Sequence, residues 1–255
     1  YLWTFTDNNT TSNASSPSRI FTNSGLTNVT LNAKSDSGCS NIITKNVLVN
    51  PTINPLSNTL TTNPSILCSG SVPSIINGGT PSGGVAGSYT YTWQKSNNGT
   101  VWTNIAGANG SSLSIDSALT QTTYYRRIVN SGTCSHTSDS IRILIVPAIQ
   151  NNAIAGSMMI CANTKADTLR GATPTGASIP TFLSYRWQDS VFGRPWQNLP
   201  DSIALGKDLP PFALNSTTHF RRIVTSGLCN SLSNVVTIIV NPKPTAIFNT
   251  NNICA

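Results

Sequence analysis

Between Tyr89 and Trp93 the odd positions are aromatic and the two between them are threonines, so an extended chain puts Tyr89, Tyr91 and Trp93 on one face. A period of two predicts a half-buried strand, with Tyr91 and Trp93 as core residues. The same alternation, bounded by turn residues, predicts strands at 72–76, 89–95, 101–105, 111–115, 123–130 and 141–146. Asn97-Asn98-Gly99 and Asn109-Gly110 supply turns, because Asn and Gly tolerate positive φ.

The pattern then recurs. Tyr91-Thr92-Trp93-Gln94 returns as Tyr185-Arg186-Trp187-Gln188, and Trp102-Thr103-Asn104 returns as Trp196-Gln197-Asn198, in both cases 94 positions on. Thr122-Thr123-Tyr124-Tyr125-Arg126-Arg127-Ile128-Val129 returns as Thr217-Thr218-His219-Phe220-Arg221-Arg222-Ile223-Val224. Each unit closes with an apolar run into proline, Ile141 to Pro147 and Val235 to Pro242. A period of about 95 residues with several strands per unit has the size of an immunoglobulin-like sandwich and is too long for a solenoid repeat. Trp187 is the expected core counterpart of Trp93.

On a strand, one arginine of each Arg126-Arg127 and Arg221-Arg222 pair must face the core side. An inward arginine needs a partner, and an aromatic lid fits: Trp93 or Trp102 in the first unit, Trp187 or Trp196 in the second. The structural reading is a repeated Arg-Trp stack. The functional alternative is an exposed Trp-Arg surface for polysaccharide, with Trp102 and Trp196 as the candidate glycan contacts.

Composition turns this pattern into a fold class. Charged residues make up 9%, the eight acidic residues are all Asp, and Asn, Thr, Ser and Gly fill the polar positions. Glu and Lys favour helices, whereas Asn, Thr and Ser favour strands, caps and turns, so the expected fold is all-β. The net charge of +7 is spread singly apart from the two arginine pairs, which speaks against nucleic acid as a partner. No apolar run approaches the roughly 20 residues of a membrane span, so membrane insertion is not expected.

The six cysteines are phased. Cys68, Cys161 and Cys254 follow an apolar residue and precede a small one, whereas Cys39, Cys134 and Cys229 follow a Ser-Gly turn. That alternation is what a window on a tandem array of one-disulfide domains would show. The expected bonds are Cys68 with Cys134 and Cys161 with Cys229, leaving Cys39 and Cys254 to bond segments beyond the ends of the sequence. Paired cysteines at regular spacing argue for an oxidising, extracytoplasmic compartment. The expected domains are 1–51, 52–148, 149–241 and 242–255, the outer two being parts of modules that continue beyond the sequence.

Family resemblances sharpen this reading. Tyr1-Leu2-Trp3-Thr4-Phe5-Thr6-Asp7, then Ile20-Phe21, Gly25, Val29-Thr30-Leu31 and Gly38-Cys39, resemble the second half of a polycystic-kidney-disease (PKD) domain. Thr6 and Asn8 stand where that family has glycines. Pro242 to Phe248, with Cys254 beyond, resembles the first strand of another. The central units, with their Tyr-x-Trp-Gln, Trp-x-Asn and Arg-Arg motifs, resemble the immunoglobulin-like repeats of giant Bacteroidetes surface proteins such as the gliding-motility adhesins of the SprB type. The resemblance implies tandem β-sandwiches flanked by partial PKD-like segments, export by the type IX pathway, and partners in the outer-membrane motility or secretion machinery. Asp116-Ser117, Asp139-Ser140, Asp167-Thr168, Asp189-Ser190 and Asp201-Ser202, each followed by a small or aliphatic residue, are similar to the O-glycosylation sequon of such proteins. Ser117, Ser140, Thr168, Ser190 and Ser202 are therefore candidate glycosylation sites; ordinary Asp-Ser turn chemistry is the alternative.

Catalysis finds little support. His136 sits in a polar turn after Cys134, and His219 takes the place of Tyr124 in the repeat. No Ser-His-Asp pattern, close Cys or His metal spacing or Glu pair is present, and no cofactor is expected. Asp7 is a weak calcium candidate within an intact PKD-like domain. The expected function is a non-catalytic repeat segment of a large cell-surface adhesin or filament. Such a segment serves as a stalk and as a contact with polysaccharide or an abiotic surface, with neighbouring domains of the same chain as partners. The alternatives are a carbohydrate-binding accessory region of a secreted polysaccharide-degrading enzyme, or a purely structural extracellular filament.

Overall fold

The computed structural model describes residues 1–85, 87–176 and 183–246; Cys254, Ile247 and Phe248 lie outside the described residues. The chain is all-β and divides into two compact units. The first comprises Tyr1–Ser65, Pro73–Ser117 and Thr123–Ile143; the second takes Ile66–Val72, Ala118–Thr122 and the chain from Leu144 onward.

The first unit opens with a four-stranded antiparallel sheet in the order β2-β1-β3-β4, from β1 (Leu2–Phe5), β2 (Thr10–Ser12), β3 (Gly25–Lys34) and β4 (Ser40–Val49). The β3–β4 hairpin turns at Ser37-Gly38, where Gly38 has φ of 91°, and carries the exposed Cys39. After a 3-10 turn at Pro55–Ser57, β5 (Leu60–Thr61) pairs with β7 (Asn77–Gly78), and β6 (Ile66–Cys68) lies between them in sequence. The main sheet of this repeat is built from β8 (Thr90–Ser96), β9 (Thr103–Asn104), β10 (Thr123–Ser131), β11 (Cys134–Thr137) and β12 (Ile141–Val146). Its order is β6-β12-β10-β8-β9, with β11 also on β10.

The second repeat uses the same plan. β13 (Ile154–Ala155) pairs with β16 (Arg170–Gly171), and β15 (Thr164–Lys165) pairs with β19 (Ala213–Leu214). Its main sheet runs β14-β22-β20-β17-β18, with β21 on β20. Those strands are β14 (Met158–Cys161), β17 (Leu183–Val191), β18 (Gln197–Asn198), β20 (Thr218–Ser226), β21 (Cys229–Leu232) and β22 (Val236–Asn241). A single helical turn, α1 (Asp201–Ala204), precedes β19. A first strand that pairs in one sheet and then runs parallel to the last strand of the other, with a central hairpin strand between, is immunoglobulin-like topology.

The central strands show why these sequences choose this fold. Along β10 the side chains of Thr123, Tyr125, Arg127, Val129 and Ser131 are buried and those between are not; along β20 the buried set is Thr218, Phe220, Arg222, Val224 and Ser226. Trp93 and Trp187 sit opposite the two inward arginines in register and have no exposed surface. Around Trp187, Leu169, Leu209, Phe220 and Ile238 complete the core of the second repeat.

Three expected strands shrink, 101–105 keeping only Thr103–Asn104. Positions 72–76 and 111–115 meet only at the bridge between Ile76 and Leu113, with β7 starting one residue later. Pro73 and the following Gly78-Gly79 leave few residues able to continue a ladder there. The sequence also hides β6, a three-residue strand between Pro64 and Gly70, and β11, whose Cys-Ser-His-Thr reads as a polar turn.

Candidate functional site

The polar residues singled out by the repeat build two structures in each domain, one inside and one outside the sheet. Inside, Arg127 is fully buried in mid-strand. Its Nε and Nη2 donate to Asn58 Oδ1 at 2.9 and 2.8 Å, Nη1 donates to the Ser111 carbonyl at 2.6 Å, and Nη2 donates to the Gly79 carbonyl at 2.7 Å. The guanidinium lies 5.1 Å from the Tyr91 ring and 5.9 Å from the Trp93 ring. The second repeat reproduces the clamp. Arg222 donates to Asn152 Oδ1 at 3.0 and 2.9 Å, to Lys207 O at 2.7 Å and to Ala172 O at 2.9 Å, beside Tyr185 and Trp187.

Each asparagine amide is used on both sides. Asn58 Nδ2 donates to the His136 carbonyl at 3.1 Å, and Asn152 Nδ2 donates to the Ser231 carbonyl at 2.8 Å. Among the described residues no carboxylate hydrogen-bonds either guanidinium, so charge is spread over carbonyl dipoles and ring faces. Burial pushes both arginine pKa values below their usual range; Tyr91 opposes this for Arg127, and Tyr185 and Asp208 oppose it for Arg222. Space is made by Gly78 and Gly171, where a Cβ would overlap the guanidinium Nη1. In antibody domains a disulfide joins the two sheets against a strand tryptophan. Here a glycine and an arginine hold that place.

Outside, Arg126 stacks on Trp102 at 4.2 Å and donates from Nε to Gln94 Oε1 at 2.7 Å, while Gln94 Nε2 donates to Asn104 Oδ1 at 2.8 Å. Arg221, Trp196, Gln188 and Asn198 repeat this with the same distances. Trp102 and Trp196 are half-buried under these stacks. One face of each ring is thus covered by arginine.

The histidines serve the same frame. His136 lies on β11, rather than in a turn, with Nδ1 3.2 Å from Asn58 Nδ2, and His219 Nδ1 is 2.8 Å from Thr237 Oγ1. Asp7 is held by Arg19, whose Nη2 donates to both carboxylate oxygens at 2.8 Å while its guanidinium covers Phe5 at 4.6 Å. Among the described residues no three His, Cys, Asp or Glu gather into a metal site, and no helix is long and apolar enough to cross a membrane. In the N-terminal sheet a groove of about 520 Å³ is lined by Trp3, Phe5, Phe21, Val29 and Leu31. Of the glycosylation candidates, Ser117, Ser140 and Ser202 are exposed; Thr168 and Ser190 are half-buried, and Ser190 Oγ donates to the Arg194 carbonyl at 2.8 Å.

The cysteines depart from the expected pairing. Cys68 bonds Cys229, with a Cα separation of 5.6 Å, and Cys39, Cys134 and Cys161 are thiols. The expected Cys68–Cys134 and Cys161–Cys229 bonds are therefore both corrected. Strand register gives the reason for the second. Cys161 stands opposite Asn241, beyond the Thr218 end of β20, whereas Cys229 stands opposite Ser226 at its other end. Nine strand residues at about 3.3 Å each separate those ends by more than 20 Å, against the roughly 7 Å a disulfide tolerates. Cys229 instead packs with Val146, Ile149, Val224 and Cys68.

Fold and site together define a tandem array of immunoglobulin-like domains, each clamped by a buried arginine. Residues 57–147 and 150–242 each match the family described as domain of unknown function DUF8696, and the chain belongs to that family. No curated protein matches the sequence. Among solved structures, the chain is similar to extracellular domains 3–5 of Drosophila OTK at 9% identity and a TM-score of 0.43, covering 86% of this chain and 71% of that one. It is similar to titin domains A168–A170 at 15% identity and a TM-score of 0.42, covering 87% and 74%. It is also similar to the three N-terminal domains of the bacteriophage RB49 outer capsid protein Hoc at 11% identity and a TM-score of 0.43, covering 95% and 88%. At these scores the likenesses carry nothing about function.

Proposed function

We propose that this chain is a non-catalytic segment of a large exported surface protein, a stalk of stapled sandwiches that carries an adhesive region away from the cell. The observation that supports this reading is the use of the motif residues. Arg127, Asn58, Trp93 and Gly78 inside, and Arg126, Trp102, Gln94 and Asn104 outside, make contacts with one another, and the second repeat spends its counterparts in the same way. Residues that recur because a domain must stand up are the signature of a scaffold. The Cys68–Cys229 bond supports an extracellular location, since such bonds persist in oxidising compartments. The exposed Asp-Ser sites at Ser117, Ser140 and Ser202 support a glycosylated surface protein.

The finer role is attachment or gliding motility. In that role the protein leaves by type IX secretion, touches polysaccharide or an abiotic surface, and meets the outer-membrane machinery through regions outside these residues. The test is an in-frame deletion of residues 57–242 from the full chain in its native cell. Unchanged export with weakened attachment or gliding supports a stalk. Full attachment, with loss of polysaccharide binding or breakdown instead, would replace it with the accessory-region reading.

A further inference from the structure

Both repeats place two cysteines at the same two positions, yet each repeat has only one of them bonded. The leading cysteine ends a short strand parallel to the closing strand of its repeat: Cys68 opposite Val146, Cys161 opposite Asn241. The hairpin cysteine follows the Ser-Gly turn: Cys134 opposite Ser131, Cys229 opposite Ser226. The disulfide joins the leading cysteine of residues 57–147 to the hairpin cysteine of residues 150–242. What is left over is one unbonded cysteine of each kind, Cys134 and Cys161.

Cys134 and Cys229 lie beside corresponding chain segments, Cys229 buried and Cys134 partly buried. Cys229 packs on Val146 and Ile149, at the strap Pro147-Ala148-Ile149 that leads into its repeat. Cys134 Sγ lies 3.7 Å from the carbonyl of Pro51, in the corresponding strap Pro51-Thr52-Ile53. Both straps are pinned the same way. The carbonyls of Thr52 and Ala148 occupy the space of a Cβ at Gly83 and Gly176, whose φ values are 83° and 93°. The strand before each strap also corresponds: β12 ends at Val146, and β4 ends at Val49. β12 has β6 along its outer side, bringing Cys68 beside Val146, whereas β4 is the last strand of its sheet among the described residues.

The geometry points to a disulfide ladder in which Cys68–Cys229 is one rung: the leading cysteine of each repeat bonds the hairpin cysteine of the next repeat along the same polypeptide. Cys134 is then the bonding site for a leading cysteine whose strand pairs with β4, and Cys161 the bonding site for the hairpin cysteine of the repeat that follows its own. Each rung forms when two thiols give up two protons and two electrons to the disulfide of a thiol oxidant, which leaves as a dithiol. The ladder concerns how the array is braced and stands apart from the adhesive reading.

The test is peptide mapping without reduction on the full-length protein from its native source, alkylated with iodoacetamide at harvest. The expected result is a Cys68–Cys229 peptide together with Cys134 and Cys161 each linked to a cysteine peptide from outside residues 1–255. Alkylated Cys134 and Cys161 in a sample that retains Cys68–Cys229 would overturn the ladder, as would a Cys134–Cys161 link or a covalent dimer of chains. A Cys161→Ser variant of the full chain gives a second reading. One hairpin thiol elsewhere becomes alkylated while Cys68–Cys229 is kept; no new labelled thiol would contradict the assignment.

Discussion

The two repeats differ in their loops and agree in their clamps. Between β8 and β9 the first repeat turns on Ser96 and Asn98, whose side chains cap the backbone of Gly99, Thr100 and Val101. The second turns on Ser190 and Arg194 instead, with Phe192 exposed, and inserts α1 where the first has an irregular turn. Yet the shorter of the two arginine–asparagine contacts is 2.8 Å in one and 2.9 Å in the other, and both outer stacks measure 4.2 Å. The loops vary because they answer only to solvent, while the clamp is held because a buried guanidinium has few satisfactory arrangements.

Reduction tests the covalent part of this comparison and has the largest expected effect. The bond spans a sequence separation of 161, so removing it with Cys229→Ser costs about 5 kcal/mol by loop-closure entropy, measured by urea unfolding with and without reductant. Arg127→Met and Arg222→Met come next. Each strips the donors from an asparagine oxygen and two carbonyls, a loss of about 3 kcal/mol at the low end of the cost of an orphaned group, and hydrogen exchange read repeat by repeat should report equal losses. Unequal losses would break the equivalence. Gly78→Ala and Gly171→Ala force a methyl against the guanidinium and cost about 1–3 kcal/mol each by the same readout.

Trp102→Ala, which removes the outer stack, is expected to cost about 1 kcal/mol and to leave polysaccharide retention on affinity gels unchanged. The smallest effect sits at Asp189, in the second repeat alone. Burial raises its carboxyl pKa, with a bond to its own backbone opposing. A folded value above the unfolded one means that the native state holds the proton more tightly, so stability is gained as pH falls through the folded pKa. Asp189→Asn therefore raises the melting temperature slightly at neutral pH, and the gain fades in acid.

Much of the clamp was legible in the sequence because strand periodicity is strict. Alternation alone puts one arginine of each pair inward, and the 94-residue recurrence of Tyr-x-Trp-Gln and Trp-x-Asn marks the aromatics that cover them. Asn58 and Asn152 were missed. They lie 69 and 70 residues from their arginines, and in a chain so rich in asparagine nothing local distinguishes them. The disulfide was misread for a different reason. Phase shows that two kinds of cysteine alternate, but a bond within a repeat and a bond to the next repeat produce the same phase. Only the register of β14 against β22 and of β21 against β20 puts Cys161 and Cys229 at opposite ends of one sheet.

The central claim is that the repeated motif holds the sandwich together rather than holding a ligand. A double-mutant cycle between Arg127→Met and Asn58→Leu, followed by urea unfolding of the intact chain, tests it most directly. The account predicts a coupling energy of about 1.5 kcal/mol or more, since two charge-assisted hydrogen bonds join the pair. Additive losses, with a coupling below about 0.5 kcal/mol, would contradict it.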